Sequence, residues 1–241
     1  MDKAGANGVM YQWLCFDLDG VIFDYDRAEH EALSKTLQRF GYTLTAEGHA
    51  LYRQVNRQLW TAWEQGQIEA IDLKTLRFER FLQLARIRAS AEEFGRWYLD
   101  ALSRAHGLWP GCRNTLRLLR ARFRLAALTN GLQAVQRPRL RAAGLMPLFE
   151  AVVVSEEIGA AKPDRRFFEA AWTRLGRPRP EQVLMIGDQW EADITGAAAF
   201  GWHTCWFNPR NEPAPSQPPV RCVVRSWEEL RRWLMTSRAS D

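Results

Sequence analysis

The sequence predicts an α/β fold, a parallel sheet with helices on both faces, interrupted near its start by an all-helical insertion. Three observations predict it. Short unbroken apolar runs recur along the chain, each run ends in polar residues, and in the second half each is followed by a stretch of helical period. At 241 residues a single hydrophobic core is near its usual size limit, so a domain with an insertion, or two unequal domains, are the natural readings.

Taken in order, the first run is Trp13-Leu14-Cys15-Phe16, ending in Asp17 and Asp19, the pattern of a strand buried on both faces. From Asp24 to about Ala105 the pattern changes to long charged amphipathic stretches over residues 27–40, 46–65, 73–85 and 91–105, which predict helices. Gly107-Leu108-Trp109-Pro110-Gly111 carries turn chemistry and marks the return to the sheet. Strands over 125–128, 151–154, 183–186 and 204–207 then alternate with helices over 113–121, 134–143, 164–175 and 192–200. A Pro-rich loop over 209–219 and a short apolar run over 220–224 precede a last helix, for which Ser226 and Glu229 form a capping box. The expected division is a Rossmann-like sheet domain of residues 1–23 and 106–241, with a helical domain of residues 24–105.

Composition narrows the class of function. With 46% hydrophobic and 25% charged residues, wholesale disorder and fibrous repeats are excluded. No stretch of about 18 apolar residues occurs, and residues 1–10 lack the apolar segment of a secretory signal, so the expected location is cytoplasmic. Cys15, Cys112, Cys205 and Cys222 stand singly, without the spacing of a zinc site, which suits a reducing compartment. The net charge of +5 is spread, with no run of five like charges to make a nucleic-acid-binding tail. His30, His49, His106 and His203 are scattered without metal spacing and read as structural or surface residues.

Four short segments carry candidate chemistry. Asp17-Leu18-Asp19-Gly20 puts two carboxylates on one side of an extended chain, where they repel unless a cation or a shared proton intervenes. A metal site or an acid and base pair resolves that conflict; an acidic turn or an Asp N-cap is the alternative. Thr129-Asn130-Gly131 suits an anion held by a hydroxyl and successive N–H groups, or a plain polar turn. Ala161-Lys162-Pro163-Asp164 holds one of only four lysines, able to neutralise carboxylate and phosphate charge, or merely to sit on the surface. Gly187-Asp188, with Asp193 five residues on, offers carboxylates to a hard cation such as Mg²⁺, or caps a helix. All four fall where open parallel sheets bind ligands, beyond the carboxyl ends of strands.

In that order the segments resemble the four motifs of the haloacid dehalogenase-like (HAD) hydrolases, with DLDG, LTN, AKPD and GDQWEAD as motifs I to IV. The helical insertion looks like the family's inserted cap. The resemblance implies a Mg²⁺-dependent phosphatase in which Asp17 is the nucleophile and forms an aspartyl-phosphate, while Asp19 protonates the leaving group and then activates water. It implies that Thr129 and Asn130 hold the phosphoryl group and that Lys162 offsets its charge. Asp17, Asp19 through its carbonyl, and Asp188 would bind the metal, and Asp193 would orient the lysine or the metal's water shell. Val21 stands where the family often has Thr. Asp19 argues against the dehalogenase branch, whose members lack a second aspartate and need no metal.

The insertion narrows the substrate class. Leu44-Thr45-Ala46-Glu47, Tyr52-Arg53-Gln54-Val55-Asn56, Leu59-Trp60, Gln65-Gly66-Gln67-Ile68 and Arg77-Phe78-Glu79, with residues 154–159, look like the pyrimidine 5′-nucleotidases of the YjjG type. That resemblance implies hydrolysis of nucleoside 5′-monophosphates, with pyrimidines preferred. Asn56 then suits a base edge, Trp60 or Trp63 a stacking surface and Arg77 added positive charge; packing within the cap is the other reading of the two tryptophans. A phosphatase for a sugar phosphate or phosphoglycolate is the alternative, and a non-catalytic nucleic-acid-binding scaffold, suggested by the basic balance, is opposed by the intact Asp17, Asp19, Lys162 and Asp188. The expected partner is a small phosphate monoester, not a nucleic-acid polymer or a membrane, and the expected state is a monomer or homodimer.

Overall fold

A computed structural model describes residues 11–236, the side chain of Ala70 apart. The reading of residues 1–10 as free of a signal segment lies outside these residues. In chain order the helices are α1 (Tyr25–Arg39), α2 (Ala46–Glu64), α3 (Ala70–Leu84), α4 (Ala91–Arg104), α5 (Cys112–Arg120), α6 (Gln133–Ala142), α7 (Ser155–Ile158), α8 (Arg165–Arg174), α9 (Gly196–Phe200) and α10 (Trp227–Thr236). The strands are β1 (Trp13–Phe16), β2 (Arg124–Thr129), β3 (Ala151–Val154), β4 (Val183–Gly187), β5 (His203–Phe207) and β6 (Cys222–Val224).

The described residues fall into two compact units. One runs to Asp24 and takes in Leu108–Asn130 and the chain from Gly144; the other is Tyr25–Gly107 with Gly131–Ala143. In the first, six strands form one sheet in the order β3-β2-β1-β4-β5-β6, every pair parallel. β1 is central, and Phe16 stands opposite both Ala127 of β2 and Ile186 of β4. Successive side chains of a strand point to opposite faces. Trp13 and Cys15 accordingly enter a core with Ala126, Leu128, Met185 and the α8 residues Phe167 and Phe168. Phe16 faces the other way, its ring stacked 5.5 Å from that of Trp227 on α10. Each such buried side chain contributes about 1.5–3 kcal/mol, and an apolar run with burial on both faces has no solvent side to set an alternation.

Two local features differ from the sequence expectation. The helix expected over 192–200 begins earlier, as one π-helical stretch over Trp190–Thr195 that passes into α9. At α10, Glu229 N–H donates to Ser226 Oγ at 3.2 Å as a capping box requires, but the Glu229 carboxylate accepts from Arg225 N–H, one residue before the cap.

The second unit consists of α1 to α4 together with α6, a helix that the strand and helix alternation assigns to the sheet domain. Its core is aromatic, built on Tyr52, Phe78, Phe81, Phe94 and Tyr98. Gly95 permits the close approach of α4 to α3, since a Cβ there would lie 2.9 Å from Phe78 Cδ2. Thr45 and Ser90 cap α2 and α4 through their side-chain oxygens. Among the described residues no helix is long and apolar enough to cross a membrane.

Candidate active site

β1, β2 and β4 end side by side, and the residues that come after each of them are polar. Asp17 continues β1 by donating its N–H to Ile186 O at 2.9 Å. The chain then turns back at once, with Ile22 N–H and Phe23 N–H both donating to Leu18 O and Gly20 N–H donating to Phe23 O. Gly20 has φ +85°, and a Cβ on it would run into the Asp188 carboxylate, so a side chain here strains the turn and displaces that carboxylate. Val21 is fully buried in the turn, and its carbonyl accepts from Trp227 Nε1 at 2.8 Å.

Lys162 is the node of the site. Its buried Nζ donates to Asp17 Oδ1 at 2.6 Å, to Asp193 Oδ1 at 2.6 Å and to Leu128 O at 2.9 Å, which uses all three ammonium protons. The second Asp193 oxygen accepts from Gln189 N–H at 3.1 Å. Asp193 therefore has both oxygens engaged by the protein, an arrangement that orients the lysine. The first turn of the π-helical stretch brings this about: Asp193 N–H donates to Gln189 O, four residues back, and the carboxylate turns back toward the end of β4. Gly187 makes room, since a Cβ on it would lie 2.2 Å from Asp193 Cβ.

Asp17, Asp188 and Asp193 can each bring one carboxylate oxygen within 4.8 Å of the others. Three carboxylates against one ammonium leave two surplus negative charges when all are ionised. The titration of the group reflects its burial first and that surplus second. Burial, opposed by Lys162 and reinforced by Asp193 and Asp19, raises Asp17 to about 7. Burial, reinforced by Asp17 and Asp193, raises Asp188 well above the usual carboxylate range. Burial alone would lower Lys162, but Asp17 and Asp193 outweigh it and the ammonium is held above its ordinary value. Asp188 Oδ1 is buried without a hydrogen-bond partner, while the Asp188 carbonyl accepts from Trp206 Nε1 at 2.9 Å. An orphaned carboxylate oxygen in an oxygen-only cluster with two excess negative charges fits a hard divalent cation such as Mg²⁺.

Thr129, at the end of β2, is buried, and Asn130 comes next in the chain. The Asn130 carboxamide is engaged within the protein. Oδ1 accepts from Lys162 N–H and Nδ2 donates to Lys162 O, each at 2.8 Å. The two residues are 32 positions apart, and sequence spacing offers no signal for such a pairing although each residue stands out by itself.

Asn56, Trp60 and Arg77 lie in the helical unit and bond to one another. Asn56 Oδ1 accepts from Trp60 Nε1 at 3.1 Å and from Arg77 Nη1 at 3.2 Å, while Asn56 Nδ2 donates to Glu29 Oε2 at 3.4 Å. Asn56 and Arg77 are 6% and 2% exposed, so the network is internal to the unit, with Arg77 Nε and Nη2 left without partners. Burial raises Glu29 to about 7 against the opposing pull of Arg53. Trp60 and Trp63 meet edge to face at 5.4 Å and pack on Val55, Leu59 and Leu73, which is the packing reading of the pair.

Comparison with known proteins gives the same family from several directions. The family model for haloacid dehalogenase-like hydrolases matches residues 11–201. The chain is 31% identical over 224 residues to pyrimidine 5′-nucleotidase YjjG of Escherichia coli (strain K12), a match that covers 93% of this chain and 98% of that protein. It is 31% identical over 223 residues to pyrimidine 5′-nucleotidase PynA of Streptococcus pneumoniae, covering 92% and 94%. The crystal structure of the HAD-hydrolase YfnB from Bacillus subtilis, bound to magnesium, matches with a TM-score of 0.87 and 32% identity over 94% of this chain and 99% of that one.

Proposed function

The chain belongs to the haloacid dehalogenase-like hydrolases, and from that premise we propose that it is a Mg²⁺-dependent phosphatase of nucleoside 5′-monophosphates, with pyrimidine nucleotides preferred. The observation that carries the chemistry is Lys162 Nζ at 2.6 Å from both Asp17 and Asp193, beside the unpartnered Asp188 Oδ1. Lys162 holds the Asp17 carboxylate in place and balances part of its charge, so an Asp17 oxygen is already positioned to attack phosphorus when substrate arrives. Thr129 and the backbone N–H of Asn130 take the phosphoryl oxygens.

Attack by Asp17 forms the acyl phosphate and breaks the ester bond; Asp19 gives its proton to the departing alkoxide. Asp19, now ionised, takes a proton from water, whose oxygen attacks the same phosphorus, releasing orthophosphate and returning Asp17. Asp17, Asp188 and the Asp19 carbonyl would hold Mg²⁺, which supplies charge neutralisation at the transferring phosphoryl group. Phosphoryl transfer needs little beyond such positioning and neutralisation.

The preference for pyrimidine nucleotides is supported by similarity to YjjG and PynA, which runs through the helical unit as well as the sheet. Spread of charge and cysteines without the spacing of a zinc site or the density of a disulfide framework go with a cytoplasmic enzyme. The test is phosphate release from dUMP, UMP, dTMP, AMP, glucose 6-phosphate and phosphoglycolate, with Mg²⁺ or EDTA, for the wild type and Asp17→Asn. Mg²⁺-dependent release concentrated on pyrimidine nucleotides and lost in Asp17→Asn is expected. Preference for a sugar phosphate would keep the mechanism and remove the nucleotide assignment, and activity surviving Asp17→Asn would remove the mechanism.

A further inference from the structure

Away from the catalytic group, β5 and β6 place two thiols opposite each other. Cys205 and Cys222 are direct partners in the parallel register. Backbone bonds fix that register on both sides, Arg221 N–H to Thr204 O at 2.8 Å before the pair and Asn208 N–H to Val224 O at 2.7 Å after it. Directly opposed residues on neighbouring strands point to the same face, and strands lie about 4.8 Å apart, inside the Cα separation of roughly 4.4–6.8 Å that a disulfide spans. The Cys222 side chain is near enough to act on Cys205 by hydrogen bonding and charge.

The two thiols differ in access. Cys205 is buried, whereas Cys222 is only partly buried, on the strand at the end of the sheet order, and is the thiol that an external disulfide reaches first. Cys15 and Cys112 are both buried in other parts of the fold.

We propose that Cys205 and Cys222 form a reversible intramolecular disulfide when the protein meets a small-molecule disulfide. The Cys222 thiolate attacks one sulfur of that oxidant, forms a mixed disulfide and expels one thiol. The Cys205 sulfur, giving up its proton, then attacks the Cys222 sulfur and expels the second thiol, so two protein thiols lose two electrons and one external disulfide becomes two thiols. The bond would join the two ends of the Pro-rich connection between β5 and β6. That connection bears on the neighbourhood of Asp188, because Gln217 O accepts from Trp190 Nε1 at 3.2 Å.

The full chain would be incubated with oxidised glutathione, denatured, alkylated and mapped by mass spectrometry, beside Cys222→Ser. The wild type is expected to lose two of its four thiols and to yield a peptide cross-linked between Cys205 and Cys222, both reversed by dithiothreitol. Protease nicking within the Pro-rich connection should leave fragments that separate only after reduction. Cys222→Ser, which touches nothing in the catalytic group, should keep its other thiols and its phosphatase activity. Retention of all four thiols, a stable glutathione adduct on Cys222 with Cys205 still alkylated, or a disulfide-linked dimer would each overturn the proposal.

Discussion

Asn130 grips the backbone of Lys162 from both sides, its carboxamide accepting from the Lys162 N–H and donating to the Lys162 carbonyl at 2.8 Å each. The ammonium at the far end of the same residue then lies 2.6 Å from Asp17. Asn130→Ala removes the grip without removing any charge. Loss of both bonds displaces a positioning group, and small misplacements cost up to about a hundredfold in rate. The expected result is a fall in kcat of about tenfold to a hundredfold with KM changed much less, read from steady-state kinetics; a change in KM alone would assign Asn130 to substrate binding only.

Lys162→Met leaves Asp17 and Asp193 buried without their shared cation. Breaking a buried pair by removing one partner costs about 3–5 kcal/mol. Activity should be abolished, and the unfolding free energy read from denaturant titration should fall by that cost. Asp193→Asn added to Lys162→Met should restore part of the stability and none of the activity.

The raised Asp17 value gives a pH signature. The folded chain holds this proton up to about 7 and the unfolded chain only to the ordinary 3.8, so the proton's stabilising effect is complete below about 4 and is lost as pH rises through 7. Above that pH the ionised cluster favours a cation. Thermal melts with Mg²⁺ against EDTA should show a larger Mg²⁺-induced rise in Tm at pH 8 than at pH 6; equal rises would contradict the assigned origin of the shift.

Gly20→Ala would drive a methyl group to 2.2 Å from Asp188 Oδ2 in a backbone conformation with φ +85°. The variant should fold, because the turn is held by several backbone bonds, but should lose Mg²⁺-dependent activity by about a hundredfold or more. Isothermal titration with Mg²⁺ would check that metal binding is the part that fails.

In the helical unit, Asn56→Ala strips a partner from both Trp60 Nε1 and Arg77 Nη1. Each buried donor left unsatisfied costs about 1–3 kcal/mol, so the midpoint of unfolding should drop markedly. A change in the ratio of kcat/KM between pyrimidine and purine nucleotides, beyond any loss common to both, would show that the network also senses the base.

The sheet was legible because its strands are buried on both faces and so read as unbroken apolar runs: Trp13–Phe16 and Ala151–Val154 match to the residue. The motif aspartates and Lys162 were legible because charge stood directly after, or between, such runs. What the sequence could not display was side-chain bonding over distance. The hold of Asn130 on Lys162, the bond from Lys162 to Asp193 and the bond from Trp206 to the Asp188 carbonyl join residues 32, 31 and 18 positions apart, spacings that carry no local pattern. β6 was seen only as an apolar run, since three residues, one of them exposed, give too little pattern for a strand. The helical unit was legible as helices, but the bonding of Asn56 to Glu29, Trp60 and Arg77 was not, because a polar residue that suits a base edge suits an internal partner equally well until that partner is known.

The central position of β1 sets a timetable for synthesis. Phe16 leaves the ribosome well before its neighbour Ile186, which lies 170 residues later in the chain. At about 5–20 residues per second, translation leaves this apolar strand without its second neighbour for roughly ten to thirty seconds. Over that interval Trp13–Phe16 is an exposed adhesive segment, and a chaperone that grips short apolar stretches would find it before the sheet does.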